Sequence, residues 1–147
     1  MGGARLVQLL LDTHIWIWSV SAPENLSPRV RKALESPENV LWLSPISVWE
    51  ATLLLQRGRI VADRDPDDAV REMLHAVPQR IAALTYEVAM ASCTLKLAHR
   101  DPADRFLAAT AKVHDLTLVT ADGRLLASRE YATLANSVRR RGKPGSR

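Results

Sequence analysis

The stretch LLLDTHIWIW, Leu9–Trp18, decides how the fold is read. Together with the residues before it, it gives RLVQLLL from Arg5 to Leu11, a short and mostly apolar run that stops at an acid. That is the pattern of a strand buried on both faces in a parallel sheet. Apolar side chains resume at Ile15 and Trp16, so Asp12 stands where its surroundings look like core. A carboxylate so placed needs a partner, because burying an uncompensated charge is costly.

The rest of the chain repeats this grammar. Ser27 and Pro28 open PRVRKALES, and Ser44 and Pro45 open PISVWEATLLLQR, which Gly58 closes. Both starts place a capping hydroxyl before a proline at the first helical position. Between them NVLWLS reads as a second strand. Asp65 and Pro66 start a helix through about Ala76, RIAAL reads as a third strand, and Thr85 caps YEVAMASCTLKLA. Asp101 and Pro102 precede ADRFLAATAKVH. LTLVT is the clearest strand, followed by Asp122, a short helix from about Gly123 to Ser128, and a weak final strand at ATLAN. Short apolar strands alternating with helix-length segments imply right-handed crossovers. The expected fold is a three-layer α/β domain, a central parallel sheet of four to five strands flanked by helices. Ligands of such sheets bind beyond the carboxyl ends of the strands, where the strand order reverses, and Asp12 and Asp122 both fall on that edge.

A chain of 147 residues suits one compact domain. Its 47% hydrophobic and 24% charged content is that of an ordinary globular protein. No run reaches the roughly 18 apolar residues of a membrane span, and no secretory leader pattern opens the chain, so the expected setting is cytoplasmic, away from any membrane. The formal charge of +4 is unevenly spread: Arg139, Arg140, Arg141, Lys143 and Arg147 supply five of 20 cations, leaving 15 against 16 acids. Residues 1–138 therefore read as a nearly neutral folded domain. Residues 139–147 read as a disordered basic tail that either touches phosphates or only solubilises. Cys93 has no partner for an internal disulfide and is expected to be a small core or half-core residue.

Two further acids have apolar neighbours. Glu50 lies in ISVWEATLLL at the border of a buried helical stripe, and Asp104 falls in the first turn of the helix that Asp101 caps. Each acid alone has an ordinary explanation: Asp12 and Asp122 as caps, Asp104 as a dipole partner beside Arg105 or Arg100, Glu50 as a solvated helix residue. Together, Asp12, Glu50, Asp104 and Asp122 would crowd several negative charges near one strand edge, which requires protons or cations. All-oxygen ligation without a cysteine cluster or paired histidines selects Mg²⁺ or Mn²⁺, ions suited to phosphodiester hydrolysis. His14, His75, His99 and His114 are scattered and read as surface or capping residues, His14 least securely because it adjoins Asp12. Thr13, Ser47 and Thr120 flank the acids and are candidates to hydrogen-bond them. Trp16, Trp18, Trp42 and Trp49 are candidates for base stacking, although core or dimer packing is the stronger reading.

LLLDTHIWIW, SPISVWEATLLLQRGRI, HRDPADRFLAATA and LTLVTAD, in this order, resemble the PIN domain, specifically the VapC-type ribonuclease toxins of type II toxin–antitoxin pairs. The resemblance runs from about Leu6 to Tyr131. It implies a PIN-like fold, Mg²⁺- or Mn²⁺-dependent endonucleolytic cleavage of RNA, a cognate antitoxin that covers the active groove, and commonly a homodimer. Position by position it makes Asp12, Glu50, Asp104 and Asp122 the catalytic acids, with Asp12 and Asp104 as the metal ligands. Asp101 fits helix capping better and stays outside that set. The family often has an aromatic residue where this chain has Ala103, a difference that concerns packing or substrate fit. The competing readings are a catalytically quiet homologue that only binds its antitoxin or RNA, and a Mg²⁺-binding receiver-like module.

Overall fold

The computed structural model describes residues 6–98 and 100–137; His99 and the basic tail lie outside the described residues. Five strands form one sheet: β1 (Gln8–Leu11), β2 (Val40–Leu43), β3 (Arg80–Ile81), β4 (Thr117–Thr120) and β5 (Thr133–Ala135). All neighbouring pairs are parallel, in the order β3-β2-β1-β4-β5. The chain thus builds outward from β1 through β2 to β3, then returns to the other side of β1 for β4 and β5. Leu9 pairs with Leu41 on one side and Thr117 on the other, which makes β1 the centre of the sheet.

Alternation along the strands feeds two apolar layers. Leu9, Leu11, Leu41, Leu43 and Val119 pack under α1 (Thr13–Ser21), α2 (Pro28–Glu35), α3 (Pro45–Gln56) and α4 (Pro66–Ala76). Leu10 and Leu118 point the opposite way, towards Ala108 and Ala111 of α6 (Pro102–Val113) and Leu125 of α7 (Gly123–Leu126). Helix α5 (Tyr86–Thr94) packs on α6. The central strand is buried on both faces, as its unbroken leucines require. Trp16 fills the first layer; its Nε1 is buried without a hydrogen-bond partner among the described residues, a cost of about 1–3 kcal/mol that the burial of the indole offsets.

The expected caps form at Ser27, Ser44, Thr85 and Asp101, whose side chains accept backbone N–H bonds from the first helical turns. Asp65 precedes α4 without a side-chain capping bond. Gly58, with φ +68, follows the end of α3 in the left-handed conformation that only glycine adopts cheaply. Two readings are corrected. Helix α5 stops at Thr94 rather than running on through KLA, because Arg105 draws off the carbonyls of Ser92, Leu95 and Leu97 with its guanidinium. Cys93 is exposed, not half-core, since α5 turns Val88 and Ser92 inward instead. No helix among the described residues is long and apolar enough to cross a membrane.

The far end of the chain is tied back by Asn136. Its Oδ1 accepts from the backbone N–H of Ser27 at 2.7 Å, and its Nδ2 donates to the carbonyl of Asn25 at 3.0 Å. Replacing it strands the buried Ser27 N–H and releases the carbonyl of the exposed Asn25. Asn136→Ala is expected to cost about 2 kcal/mol, read as a lower urea midpoint with an unchanged slope.

Candidate active site

Strand order reverses between β1 and β4, and both strands end in acids at that point. Asp12 follows β1 and caps α1; Asp122 follows β4 and caps α7, accepting from Arg124 N–H at 2.8 Å. Each of these two therefore has the capping role that explains it singly, and each also faces a shared cleft. That cleft, about 450 Å³, is lined by Asp12, Glu50, Asp101, Asp104 and Asp122 with His14, Ile15, Trp18 and Ala121. All four acids singled out in the sequence are brought to it, from four separate segments.

Asp12 is held on both oxygens. The Thr13 backbone N–H donates to Oδ1 at 2.7 Å, and the Thr120 hydroxyl donates to Oδ2 at 2.6 Å. Thr120 is fully buried and its Oγ1 also accepts the Asp122 N–H at 3.0 Å, so one hydroxyl sets the spacing of two acids. Burial pushes the Asp12 carboxyl above its ordinary range; the two donors oppose that shift and the neighbouring charge of Asp122 adds to it. Glu50, half-buried on α3, accepts the Thr13 hydroxyl proton on Oε1 at 2.6 Å. Thr13 Oγ1 also stands 3.0 Å from Ser47 Oγ, so Ser47, Thr13 and Glu50 form a chain of side chains across α1 and α3. Glu50 too is raised, first by burial and then by the charges of Asp12 and Asp101.

Asp104 lies in the first turn of α6, where helix N–H groups face it, and is half-buried. Arg105, next in sequence, turns onto the carbonyls that end α5 and fixes the loop leading to Asp101. Asp101 caps α6 through a 3.0 Å bond from Ala103 N–H and also lines the cleft, a double placement that capping logic alone could not reveal. His14 is the one described histidine at the cleft, and its ring meets that of Trp18 at 5.7 Å between centroids. His75 bonds Arg71 O and His114 bonds Ala83 O, away from the acids. Ala103 is 4% exposed, so its side chain concerns packing rather than substrate.

The acids do not collapse into one knot. Among the described residues no three His, Cys, Asp or Glu side chains are gathered tightly enough to enclose an ion by themselves. The crowding of negative charge expected at this strand edge is therefore looser than an ion cage: capping and hydroxyl bonds place the carboxylates around a cleft. The donor set still fits Mg²⁺ or Mn²⁺, hard ions that take one or two carboxylates and keep several waters. No lysine or arginine is among the described residues lining the cleft, and two of its acids are held above their ordinary range by burial, so a divalent cation would relieve both.

A raised carboxylate binds its proton more tightly in the folded than in the unfolded chain. Its destabilising charge is absent below the ordinary value of 3.8 for Asp12 and appears as pH rises through the raised folded value. Metal-free protein should therefore lose stability over that rise. Asp12→Asn, which keeps the shape and can accept from Thr13 while donating to Thr120, should raise the melting temperature at pH 7.5. Added Mn²⁺ should stabilise the wild type and leave the variant unmoved in the same thermal scans.

Residues 9–130 match the PIN domain family. Ribonuclease VapC22 of Mycobacterium tuberculosis is 31% identical over 125 residues, 84% of this chain and 94% of that protein. The fold superposes on VapBC2 from Rickettsia felis bound to a promoter DNA fragment with a TM-score of 0.68 at 14% identity, over 88% of this chain and 98% of that one. A toxin–antitoxin complex from Klebsiella pneumoniae gives a TM-score of 0.63 at 21% identity, over 88% and 98%. The five-stranded sheet, the cleft at its switch point and a family match spanning both place the chain in the PIN domain family, among its VapC-type members.

Proposed function

We propose that the chain is a Mg²⁺- or Mn²⁺-dependent endoribonuclease and the toxin of a type II toxin–antitoxin pair, acting in the cytoplasm. The observation that carries this reading is the convergence of Asp12, Glu50, Asp104 and Asp122 on one cleft at the strand switch point. The 31% identity to a ribonuclease supports the reaction, and the likeness to a toxin–antitoxin complex supports an antitoxin partner.

Asp12 and Asp104, both lining the cleft, would hold the ion. A bound Mg²⁺ or Mn²⁺ would supply a Lewis acid for the phosphate and a water acidified enough to attack it. Thr120 and the Thr13 N–H fix the plane of the Asp12 carboxylate, so it needs no reorganisation when substrate arrives. Glu50, engaged through one oxygen by Thr13, orients a water with the other; its raised proton affinity suits it to receive that water's proton. Asp122 adds negative charge beside Asp12 and would strengthen the attraction for a cation. For a homodimer, Tyr86 and Met90, one turn apart on α5 and 90% and 63% exposed, offer an apolar face that a second copy would cover.

The test is cleavage of total RNA by purified protein, with 5′ ends mapped. Asp12→Asn and Asp104→Asn should each lower the rate at least about 100-fold, and EDTA should abolish it until Mn²⁺ is restored. Thr120→Val, which removes the Asp12 donor together with the acceptor of the Asp122 N–H, should cost about 10- to 100-fold with the fold retained. Activity should fall as pH drops towards the raised range of Asp12 and Glu50, since both act as anions. Equal cleavage with and without EDTA, or wild-type rates in both aspartate variants, would overturn the reading.

A further inference from the structure

The cleft has an apolar wall that the acids do not use. His14 and Trp18, one turn apart on α1, line it beside Asp12, with ring centroids 5.7 Å apart and planes tilted by 54°. The sequence reading favoured core or dimer packing for the tryptophans, and Trp16 does fill the core at 1% exposure. Trp18 does something else: it is half-buried, packed from below against the first apolar layer, and open to the cleft on its other side. A ring fixed on one side and open on the other is a platform, because little freedom is lost when something lies on it.

We propose that the His14–Trp18 pair stacks an unpaired base of the RNA strand and so helps determine which substrates enter the cleft. This rests on the nuclease reading above and adds residues to it. The charge distribution favours it. A cleft lined by five carboxylates, with no lysine or arginine among its described lining residues, offers RNA phosphates almost no direct attraction. A surface indifferent to charge can add affinity beside such a lining, and every base has a π-face that an indole or imidazole accepts. Trp18 lies six residues beyond Asp12, about 9 Å along the helix at 1.5 Å per residue. Base steps of about 3.4 Å put the stacked base two or three positions from the phosphate at Asp12. Bases inside a duplex are already stacked, so the pair selects single strands, loops and ends.

The test is binding of fluorescein-labelled single-stranded RNA, followed by anisotropy, with Ca²⁺ replacing Mg²⁺ to hold cleavage off. Trp18→Leu should weaken binding about tenfold, whereas Trp18→Phe should keep most of the affinity because a ring remains. A strand carrying one abasic nucleotide, scanned along its length, should lose affinity for the wild type at one position and show no such position with Trp18→Leu. Wild-type affinity in Trp18→Leu, equal losses in the Leu and Phe variants, or a flat abasic scan on the wild type would overturn the proposal while leaving the nuclease reading intact. Unchanged RNA affinity with weakened capture of a co-expressed antitoxin would assign the pair to the protein partner and overturn it as well. Failure of the wild type to bind RNA at all would overturn both readings.

Discussion

The partly buried carboxylate of Asp12 is the constraint around which the molecule is arranged. It sits at the carboxyl end of the central strand, where burial alone would drive it to bind a proton. Two donors, Thr13 N–H and the Thr120 hydroxyl, hold it in place without cancelling the cost of its charge. Both come from the elements that must be correct for the sheet to exist: the first turn of α1 and the last residue of β4. Fold and site are thus one hydrogen-bonded unit.

Hydroxyl side chains do much of the organising. Thr120 spaces Asp12 from Asp122, and Thr13 ties Glu50 to Ser47 across two helices. All three hydroxyl residues, Thr13, Ser47 and Thr120, are buried, while the acids they serve remain half-exposed at the cleft. A short side chain has few rotamers, so a carboxylate bonded to it is placed by the backbone. This explains why the acids stay distributed around the cleft instead of clustering.

Much of this was legible from the residues. Apolar runs ending at Asp12 and before Asp122, with capped helices between, are enough to predict a parallel sheet of four to five strands, where the structure has five, and the edge where acids meet. The two departures share a cause. Cys93 and the KLA segment after α5 have local apolar character, but their placement depends on which helix face meets the sheet and on the reach of Arg105 from ten residues away. Asp101 was assigned a single role because capping is a local pattern, whereas its position on the cleft depends on how α6 lies against α1 and α3. Periodicity reports that a side chain is near an interior; it does not report which interior.

The strand order also governs when the molecule becomes active during its own synthesis. β1 leaves the ribosome first, yet one of its two neighbours, β4, is more than a hundred residues behind it. Until Thr120 arrives, Asp12 lacks its hydroxyl donor, and Asp122 does not yet exist in the chain. A nascent protein that has reached only β3 still lacks Asp101, Asp104 and Asp122 of the cleft and the strand that pairs with the second edge of β1. A nuclease able to cut RNA while still tethered to the messenger being read would threaten its own production; this topology withholds the site until nearly the whole domain has been made.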